Sequence, residues 1–403
     1  MKLSKVSQLF LVSIIGLLVA TCLTACQLVT IDYIFVAASA GNSAGSAGQI
    51  YTYAVDSESG ALRTGPPVVS SGGTSPIAMA VTSDYGNLYV ANQGNNSVVH
   101  FGVASNGVLV QKDAITTSAS PVSLYVNAAG TYLYVVTGTT SATLTEYALS
   151  SGTIGSATAT EPLTVPGYPG DTVVPTAVTV LANSDGVYAT VYDQSAYNPG
   201  GTATSNANPG WIFGFAVGSG GALTPASGSP YQAGVKPTAL ASDPTSSFVY
   251  ATDYASNELI GYTVRSGTTL DFLVNGPFKT GNEPMSVVVD PRGIYIYLAN
   301  ALDSTVSAYS IALPTGTPSA IVNTTSSTLY ATDTQPVSIA VEPALARYVY
   351  TANHLGNSIS GFRLDPNTGA LTATQATPYP TGASPTAIIA VPHGNHAIQS
   401  VTR

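Results

Sequence analysis

Runs in which small and apolar residues alternate recur along the chain, and each run begins at a proline. In the first clear example, Pro76–Val81 is followed, after a short turn, by an apolar segment at 88–92 that carries Tyr89. The same proline stands at 121, 175, 237, 284 and 336, and a tyrosine follows it by 13 residues in the first five units and by 14 in the sixth. Short alternating runs of this kind predict half-buried β-strands, so each unit opens with two paired strands.

Two further strands complete each unit. An Asn or Asp ends the tyrosine strand in four units, and an aromatic residue follows nine positions later, as Phe101 follows Asn92. The segment between them predicts a turn and a third strand, and a glycine-rich hairpin such as 106–108 leads to a fourth. Successive prolines lie 45 to 62 residues apart, and short strands repeating at such intervals predict an all-β propeller of four-stranded blades.

The two ends of the repeat complete one another. Residues 33–36 and 49–53 match the second and third strands of a unit but lack a proline strand, whereas residues 385–391 form a proline strand with nothing after it. Joining these N- and C-terminal strands in one composite blade gives a seven-bladed β-propeller with no free sheet edge. The predicted propeller domain spans residues 33–403, and the pattern assigns no role to residues 396–403.

The N-terminus predicts export and a lipid anchor. Two lysines precede an apolar stretch at 9–20, which is shorter than the ~20 residues of a membrane span. Residues 23–26 end in Cys26 and resemble the lipobox of bacterial lipoproteins, in which the cysteine becomes the acylated first residue. We therefore expect a signal peptide over 1–25, lipidation of Cys26, a short tether over 26–32 and a location in the cell envelope outside the cytoplasm. The alternative is an ordinary signal peptide that happens to contain two cysteines.

Composition and charge limit the kinds of partner that this protein can bind. Only 8% of the 403 residues are charged and the formal net charge is −9, whereas an ordinary domain carries about 25% charged residues. A nucleic-acid-binding protein needs a basic surface, so that class is excluded. The hydrophobic fraction of 45% excludes a disordered chain. His393 and His396 have no further ligand in the pattern and no dinucleotide or phosphate-binding motif occurs, so we predict no cofactor and no metal.

Candidate functional residues lie where the inner strands begin. The position two after each proline is Ala or Ser in all seven units, which lets the inner strands approach one another and puts no acid, base or activated nucleophile in the channel. The residue before each proline and the turn after each tyrosine strand are expected at one mouth of the channel. The candidate ligand-binding rim at this mouth comprises Lys236, Glu283, Gln335, Asp193, Asp253, Tyr254, His354 and Trp211.

Trp211 joins this set because a long insertion precedes it. Residues 193–210 are rich in Asn, Gly, Ser and Pro, and loops of this length in a compact fold are often functional or disordered. Tyr192, Tyr197 and Trp211 are candidates to stack on a sugar or a peptide, because aromatic rings bind at low entropic cost. The structural alternative packs Trp211 at the start of the third strand of its blade.

The repeat resembles the YVTN-type seven-bladed propellers and the lactonase-like propellers close to them. The residues that carry the resemblance are 88–92, 297–300 and 350–353, each behind its proline strand. The resemblance implies the seven-bladed fold and, for an active lactonase, an Arg-His pair opening an inner strand and a Glu after the tyrosine-strand Asn. The matching residues here are Lys-Pro-Thr at 236–238 and Asp-Tyr at 253–254, so that set is absent. Lys236 remains as a cation for an oxyanion, and Glu283 or Asp253 as a base.

We predict a membrane-tethered binding module that engages a protein, peptide or glycan, and we assign no catalytic residue. The first alternative is a 6-phosphogluconolactonase-like lactone hydrolase with a degenerate site, and the second is a structural component of a surface layer or of adhesion. We expect no turnover of simple sugar lactones, because a catalytic base needs burial or a partner to shift its pKa and the rim charges are expected at the surface.

Overall fold

The computed structural model describes residues 29–39, 46–165, 172–196 and 209–394, which form seven antiparallel sheets arranged in a ring. The closing blade contains the first four strands, β1 (Thr30–Ala38), β2 (Ala47–Asp56), β3 (Leu62–Thr64) and β4 (Val69–Thr74), together with the last strand, β33 (Pro385–Pro392). Blade 1 contains β5 (Pro76–Val81), β6 (Asn87–Asn92), β7 (Ser97–Val103) and β8 (Leu109–Thr116). Blade 2 contains β9 (Pro121–Val126), β10 (Tyr132–Thr137), β11 (Thr143–Ser150) and β12 (Thr153–Pro162).

The remaining four blades each contain five strands. Blade 3 contains β13 (Val173–Val180), β14 (Gly186–Asp193), β15 (Gly210–Val217), β16 (Leu223–Pro225) and β17 (Tyr231–Gln232). Blade 4 contains β18 (Pro237–Ser242), β19 (Phe248–Asp253), β20 (Glu258–Val264), β21 (Leu270–Phe272) and β22 (Phe278–Lys279). Blade 5 contains β23 (Pro284–Val289), β24 (Tyr295–Asn300), β25 (Thr305–Ala312), β26 (Thr317–Ala320) and β27 (Leu329–Ala331). Blade 6 contains β28 (Pro336–Val341), β29 (Tyr348–Asn353), β30 (Ser358–Leu364), β31 (Leu371–Ala373) and β32 (Tyr379–Pro380).

The predicted seven-bladed β-propeller is confirmed. Each blade runs outwards from the channel as proline strand, tyrosine strand, third strand and outer strand. The outer strand is continuous in blades 1 and 2, whereas in the other five blades it consists of two short pieces that both pair with the third strand. Three 3-10 helices (Gln93–Asn95, Ser219–Gly221 and Ser266–Thr268) lie in connections. Among the described residues, none forms a helix long and apolar enough to cross a membrane.

Closure by the two chain ends is also confirmed. β1 lies between β2 and β33, with Phe35 opposite Ile389 and Asp32 opposite Pro392. β1 begins at Thr30, three residues before the predicted first strand at Tyr33, so the end of the expected tether belongs to the sheet. The surplus residues 396–403 and the lipidation site Cys26 lie outside the described residues.

The hydrophobic core is divided among the junctions between blades. The described residues form seven clusters of buried apolar side chains, and each cluster combines residues from two adjacent blades. The β1 strand serves two of them, because Ile34 packs towards blade 6 and Phe35 packs towards blade 1. Each blade therefore needs both of its neighbours to bury its two faces, so the stability of the fold depends on closure of the ring.

The small residues two positions after the prolines also link the inner strands. Ser123 accepts a hydrogen bond from the backbone N–H of Val178 in the next blade, at 3.2 Å. Ser286 and Ser338 accept the equivalent bonds from the next inner strands, at 3.3 and 3.2 Å. The three serines therefore fasten neighbouring blades together around the channel, in agreement with the structural role predicted for this position.

The recurring tyrosines form hydrogen bonds between neighbouring blades. Five of their hydroxyls donate hydrogen bonds of 2.6 to 2.8 Å to a backbone carbonyl in the outer hairpin of the next blade. The pairs are Tyr89–Gly152, Tyr188–Thr268, Tyr250–Gly316, Tyr297–Gly369 and Tyr350–Gly60. Because a buried hydroxyl must find a partner, this bond explains why the repeat carries tyrosine rather than phenylalanine.

One blade shows how tightly these hairpins are fitted. Gly316 adopts a φ of +75°, and a Cβ there would lie 2.3 Å from the ring of Phe248 in the preceding blade. In blade 4, Thr268 takes the place of that glycine at a φ of +61°, and the facing residue in blade 3 is Gly186 instead of an aromatic. The larger residue of the pair therefore stands on the opposite side of the junction between blades 3 and 4.

The ring has two faces that carry different loops. We call the side where the inner strands begin the entry face. There, backbone N–H groups of the turns after the tyrosine strands donate to the carbonyl oxygens of the residues before the prolines, as Tyr254 donates to Lys236 at 2.9 Å. We call exit face the side where the inner strands end. Since β1 and β33 are antiparallel, Thr30 enters the sheet at the exit face.

Candidate functional site

Lys236 is the central side chain at the entry face of the channel. It directly precedes β18 and is half-buried. Its ammonium nitrogen lies 4.5 Å from the ring centre of Tyr254, in its own blade, and 5.3 Å from that of Tyr192, at the end of β14 in blade 3. Cation–π contacts of this length hold the charge in place at the junction of blades 3 and 4.

The environment of Lys236 alters its electrostatics. Burial lowers the pKa of the Lys236 ammonium, and the negative charge of Glu283 in blade 5 acts in the opposite direction. A partly desolvated cation interacts more strongly with an incoming anion or carbonyl oxygen than one surrounded by water. Lys236, Tyr192, Tyr254 and Glu283 are therefore the part of the rim that can contact a ligand together.

Asp253, a candidate of the predicted rim, is engaged by the backbone at Lys236 and by its own turn. Its carboxylate is buried and accepts hydrogen bonds from the backbone N–H groups of Val235, Lys236 and Ala255, at 2.8, 2.9 and 3.1 Å. Asp253 therefore fixes the backbone that presents Lys236, which makes it a positioning residue for that side chain. Asp193 is also buried, and it accepts the N–H groups of the turn that follows it, Ser195 at 2.8 Å and Ala196 at 3.3 Å.

The other predicted rim residues lie apart from this group. His354 lies at the junction between blade 6 and the closing blade, where its Nδ1 is 3.1 Å from the carbonyl oxygen of Pro385. Gln335 precedes β28 in blade 6 and donates its backbone N–H to Ser304. Trp211 packs against the apolar cluster between blades 2 and 3, as in the structural alternative for this residue. Tyr197 lies outside the described residues.

The charged groups do not converge into a larger cluster. No group of three or more His, Cys, Asp or Glu side chains suited to a metal ion occurs in the part of the chain that the structure describes. Tyr192 was a candidate only for stacking on a ligand, and its contact with Lys236 across the blade junction was not expected. That contact depends on the distance between neighbouring tyrosine strands, which the linear sequence does not show.

Fold and site together define a closed seven-bladed propeller with a lysine held between aromatic rings at one mouth of its channel. The chain belongs to the family described as lactonase, 7-bladed beta-propeller, whose model matches residues 47–168 and 222–398. The unmatched stretch between these segments includes β13 and β14, and therefore Tyr192, which contacts Lys236.

Several solved structures share the fold. The periplasmic gluconolactonase PpgL of Pseudomonas aeruginosa superposes with a TM-score of 0.73 at 16% identity, covering 91% of this chain and 100% of that chain. A putative 6-phosphogluconolactonase of Bacteroides uniformis gives a TM-score of 0.71 at 17% identity, covering 90% and 100%. A second putative 6-phosphogluconolactonase, from Bacteroides fragilis, gives 0.68 at 17% identity, covering 91% and 99%. No curated protein matches the chain.

Proposed function

We propose that the entry face binds a small sugar-derived ligand that carries a carboxylate or a lactone carbonyl. The observation that carries this proposal is the Lys236 ammonium, held half-buried between the rings of Tyr192 and Tyr254. In this arrangement Lys236 supplies the charge for the ligand oxygen, and the tyrosines supply apolar surface for a sugar ring. The ligand class is narrower than the protein, peptide or glycan of the sequence prediction, and the lactonase names of similar structures support it.

The second candidate function is hydrolysis of a lactone at the same place. It is supported by the family match and by Glu283, whose charge reaches Lys236. In this reaction Glu283 removes a proton from water while the water oxygen bonds to the lactone carbonyl carbon, and Lys236 stabilises the resulting oxyanion. The bond from that carbon to the ring oxygen then breaks, and the ring oxygen takes the proton held by Glu283 to give the hydroxy acid.

Binding without turnover is the expected result for the purified protein lacking residues 1–26. Replacing Lys236 by Met should weaken gluconate binding by about tenfold or more, because a charge-assisted hydrogen bond is worth about 1.5–3 kcal/mol. Isothermal titration calorimetry with gluconate and 6-phosphogluconate measures this effect. Lys279→Met is the matched control, because Lys279 is an exposed lysine paired with Glu258.

The outcome separates the two candidates. Equal gluconate binding by wild type and Lys236→Met would contradict the proposed site. Glucono-δ-lactone hydrolysis is measured in parallel by acid release, and we expect the background rate. Hydrolysis above background that is lost in Glu283→Gln would replace the binding function by the lactonase function.

We also propose that lipidation of Cys26 tethers the propeller to a membrane in the cell envelope. Three residues lie between Cys26 and Thr30, and the four steps from one Cα to the next span at most about 14 Å of extended chain. Because Thr30 lies at the exit face, such a tether turns the exit face towards the lipid and the entry face with Lys236 away from it. This orientation leaves the proposed ligand site open to the surrounding solution.

Cys26→Ser is expected to move the protein from the membrane to the soluble fraction of cells that produce the full chain, because a tether without an acyl chain has no second anchor. Immunoblots of fractionated cells measure the distribution. Cys22→Ser is the matched control and should remain with the membrane, since the predicted cleavage removes residue 22. Membrane retention of Cys26→Ser would rule out this anchor.

A further inference from the structure

A cavity lies in the channel at the exit face, on the opposite side of the ring from Lys236. It has a volume of about 380 Å³ and is lined where the inner strands end. Its apolar wall includes Met79, Val81, Val180, Val289 and Ile389, which come from three numbered blades and from the closing blade. Its size falls within the usual range of small-molecule sites, about 300–1,000 Å³, and its wall is largely apolar as in such sites.

Tyr125 distinguishes this cavity from a simple channel opening. It stands four positions after its proline, where the other inner strands carry Ala, Thr, Val or Ile. The Tyr125 side chain lines the cavity, 39% exposed, and among the described residues it takes no part in any apolar cluster between blades. Tyr85 from the first exit-face turn lines the same cavity. Two aromatic rings are therefore presented to the cavity by strand and turn positions that the fold itself does not require to be aromatic.

The charged residues around the cavity disfavour an anionic ligand. None of the described residues that line it is Lys, Arg or His. Two lining residues are acidic, and both carboxylates are engaged by the protein: Asp243 accepts the N–H groups of Ser247 and Phe248, and Asp290 is paired with Arg292 at 2.7 Å. An anion entering this cavity would lose its hydration without gaining a cation, which is costly.

We propose that the exit-face cavity is a second binding site, which takes an uncharged, ring-containing molecule. In this proposal the rings of Tyr125 and Tyr85 pack against the ligand ring, the aliphatic wall buries the remainder, and a tyrosine hydroxyl serves as the partner of a single polar group. The site selects against carboxylate-bearing ligands such as those proposed for the entry face. It is independent of that function, since no residue is shared between the two faces.

Two fluorescent probes that differ by one charged group test this proposal. N-phenyl-1-naphthylamine is neutral, and 8-anilino-1-naphthalenesulfonate adds a sulfonate to the same ring system. We expect the folded protein lacking residues 1–26 to bind the neutral probe at least tenfold more tightly than the sulfonate. Equal or tighter binding of the sulfonate would contradict the charge argument.

Substitutions locate the probe. Ala182 is exposed at the edge of the cavity, so Ala182→Trp should obstruct it and weaken binding of the neutral probe at least tenfold. Ala255→Trp places the same ring on an exposed turn of the entry face and should leave the affinity unchanged. Tyr125→Ala is a second variant that removes the ring without adding bulk, and it should weaken binding about tenfold. Unchanged binding in folded Ala182→Trp, or in folded Tyr125→Ala, would overturn the proposal.

Discussion

A chain that ends at residue 384 is expected to lose its cooperative fold, and not only one blade. The truncation removes β33, the innermost strand of the closing blade, and exposes the edge of β1. Ile388 and Ala390 are lost from the cluster with blade 6, and Val391 from the cluster with blade 1. Truncating one large buried aliphatic side chain costs about 2–5 kcal/mol, and the total stability of a domain is about 5–15 kcal/mol. The loss of a whole strand at two junctions therefore removes most or all of the stability.

Urea unfolding followed by circular dichroism and by tyrosine fluorescence measures this loss. The matched control ends at residue 394 and keeps the complete β33 strand. We expect the control to unfold like the full-length protein and the shorter chain to show no unfolding transition. A transition at the same urea concentration in the shorter chain would mean that the ring is stable without its closing strand.

The repeat made the fold predictable because the packing of each blade is periodic. The proline, the tyrosine and the small residue two positions after the proline occupy equivalent places in successive blades. Counting their repeats in the sequence therefore gives the number of blades. The split outer strands were not predicted. Pieces as short as Tyr231–Gln232 and Phe278–Lys279 have too few residues to show alternation, and only their pairing with the third strand identifies them.

The place of the candidate residues in the fold could be predicted from the repeat, and their chemical role could not. Lys236, Glu283 and Gln335 each directly precede an inner strand at the entry face. An Asp at the end of a strand has the same sequence pattern whether it faces a ligand or accepts turn N–H groups, so the hydrogen bonds of Asp253 could not be predicted from the sequence. The exit-face cavity was missed altogether. Its sequence signal is Tyr125, a large ring at a repeat position that is otherwise aliphatic, Ala or Thr.

A pair of buried carboxyl groups lies beside the closing strand. Asp32 in β1 of the closing blade and Glu342 directly after β28 of blade 6 are both fully buried, and their carboxyl groups interact with each other. Burial raises the pKa of Asp32 well above its usual range, and the nearby charge of Glu342 adds to this effect. Glu342 accepts the backbone N–H groups of Leu345 and Arg347, at 2.9 and 2.5 Å. Because these bonds favour the ionised form of Glu342, we infer that Asp32 holds the proton of the pair.

This assignment predicts that the pair destabilises the protein as the pH rises. The unfolded chain releases the Asp32 proton near pH 3.9, about the usual value for Asp, whereas the folded chain keeps it to a higher pH. Between these two pKa values the folded state binds more protons, so the free energy of unfolding falls with increasing pH. Every tenfold difference in proton affinity between the states costs about 1.4 kcal/mol.

Asp32→Asn is expected to abolish this contribution, since an amide donates to Glu342 as a protonated carboxyl does but cannot ionise. The difference in unfolding free energy between Asp32→Asn and wild type, measured in urea from pH 4 to pH 8, should grow in favour of the variant as the pH rises. Taking the difference cancels the titration of carboxylates that do not interact with Asp32. Asp56→Asn, in the same blade, should behave oppositely. Burial alone would raise the pKa of Asp56, but hydrogen bonds from Ser59 and Glu58 outweigh it and lower that pKa, so this substitution should cost more at pH 7 than at pH 4. A pH-independent difference for Asp32→Asn would mean that Asp32 is already ionised in the folded ring, and that the closing blade tolerates two buried negative charges.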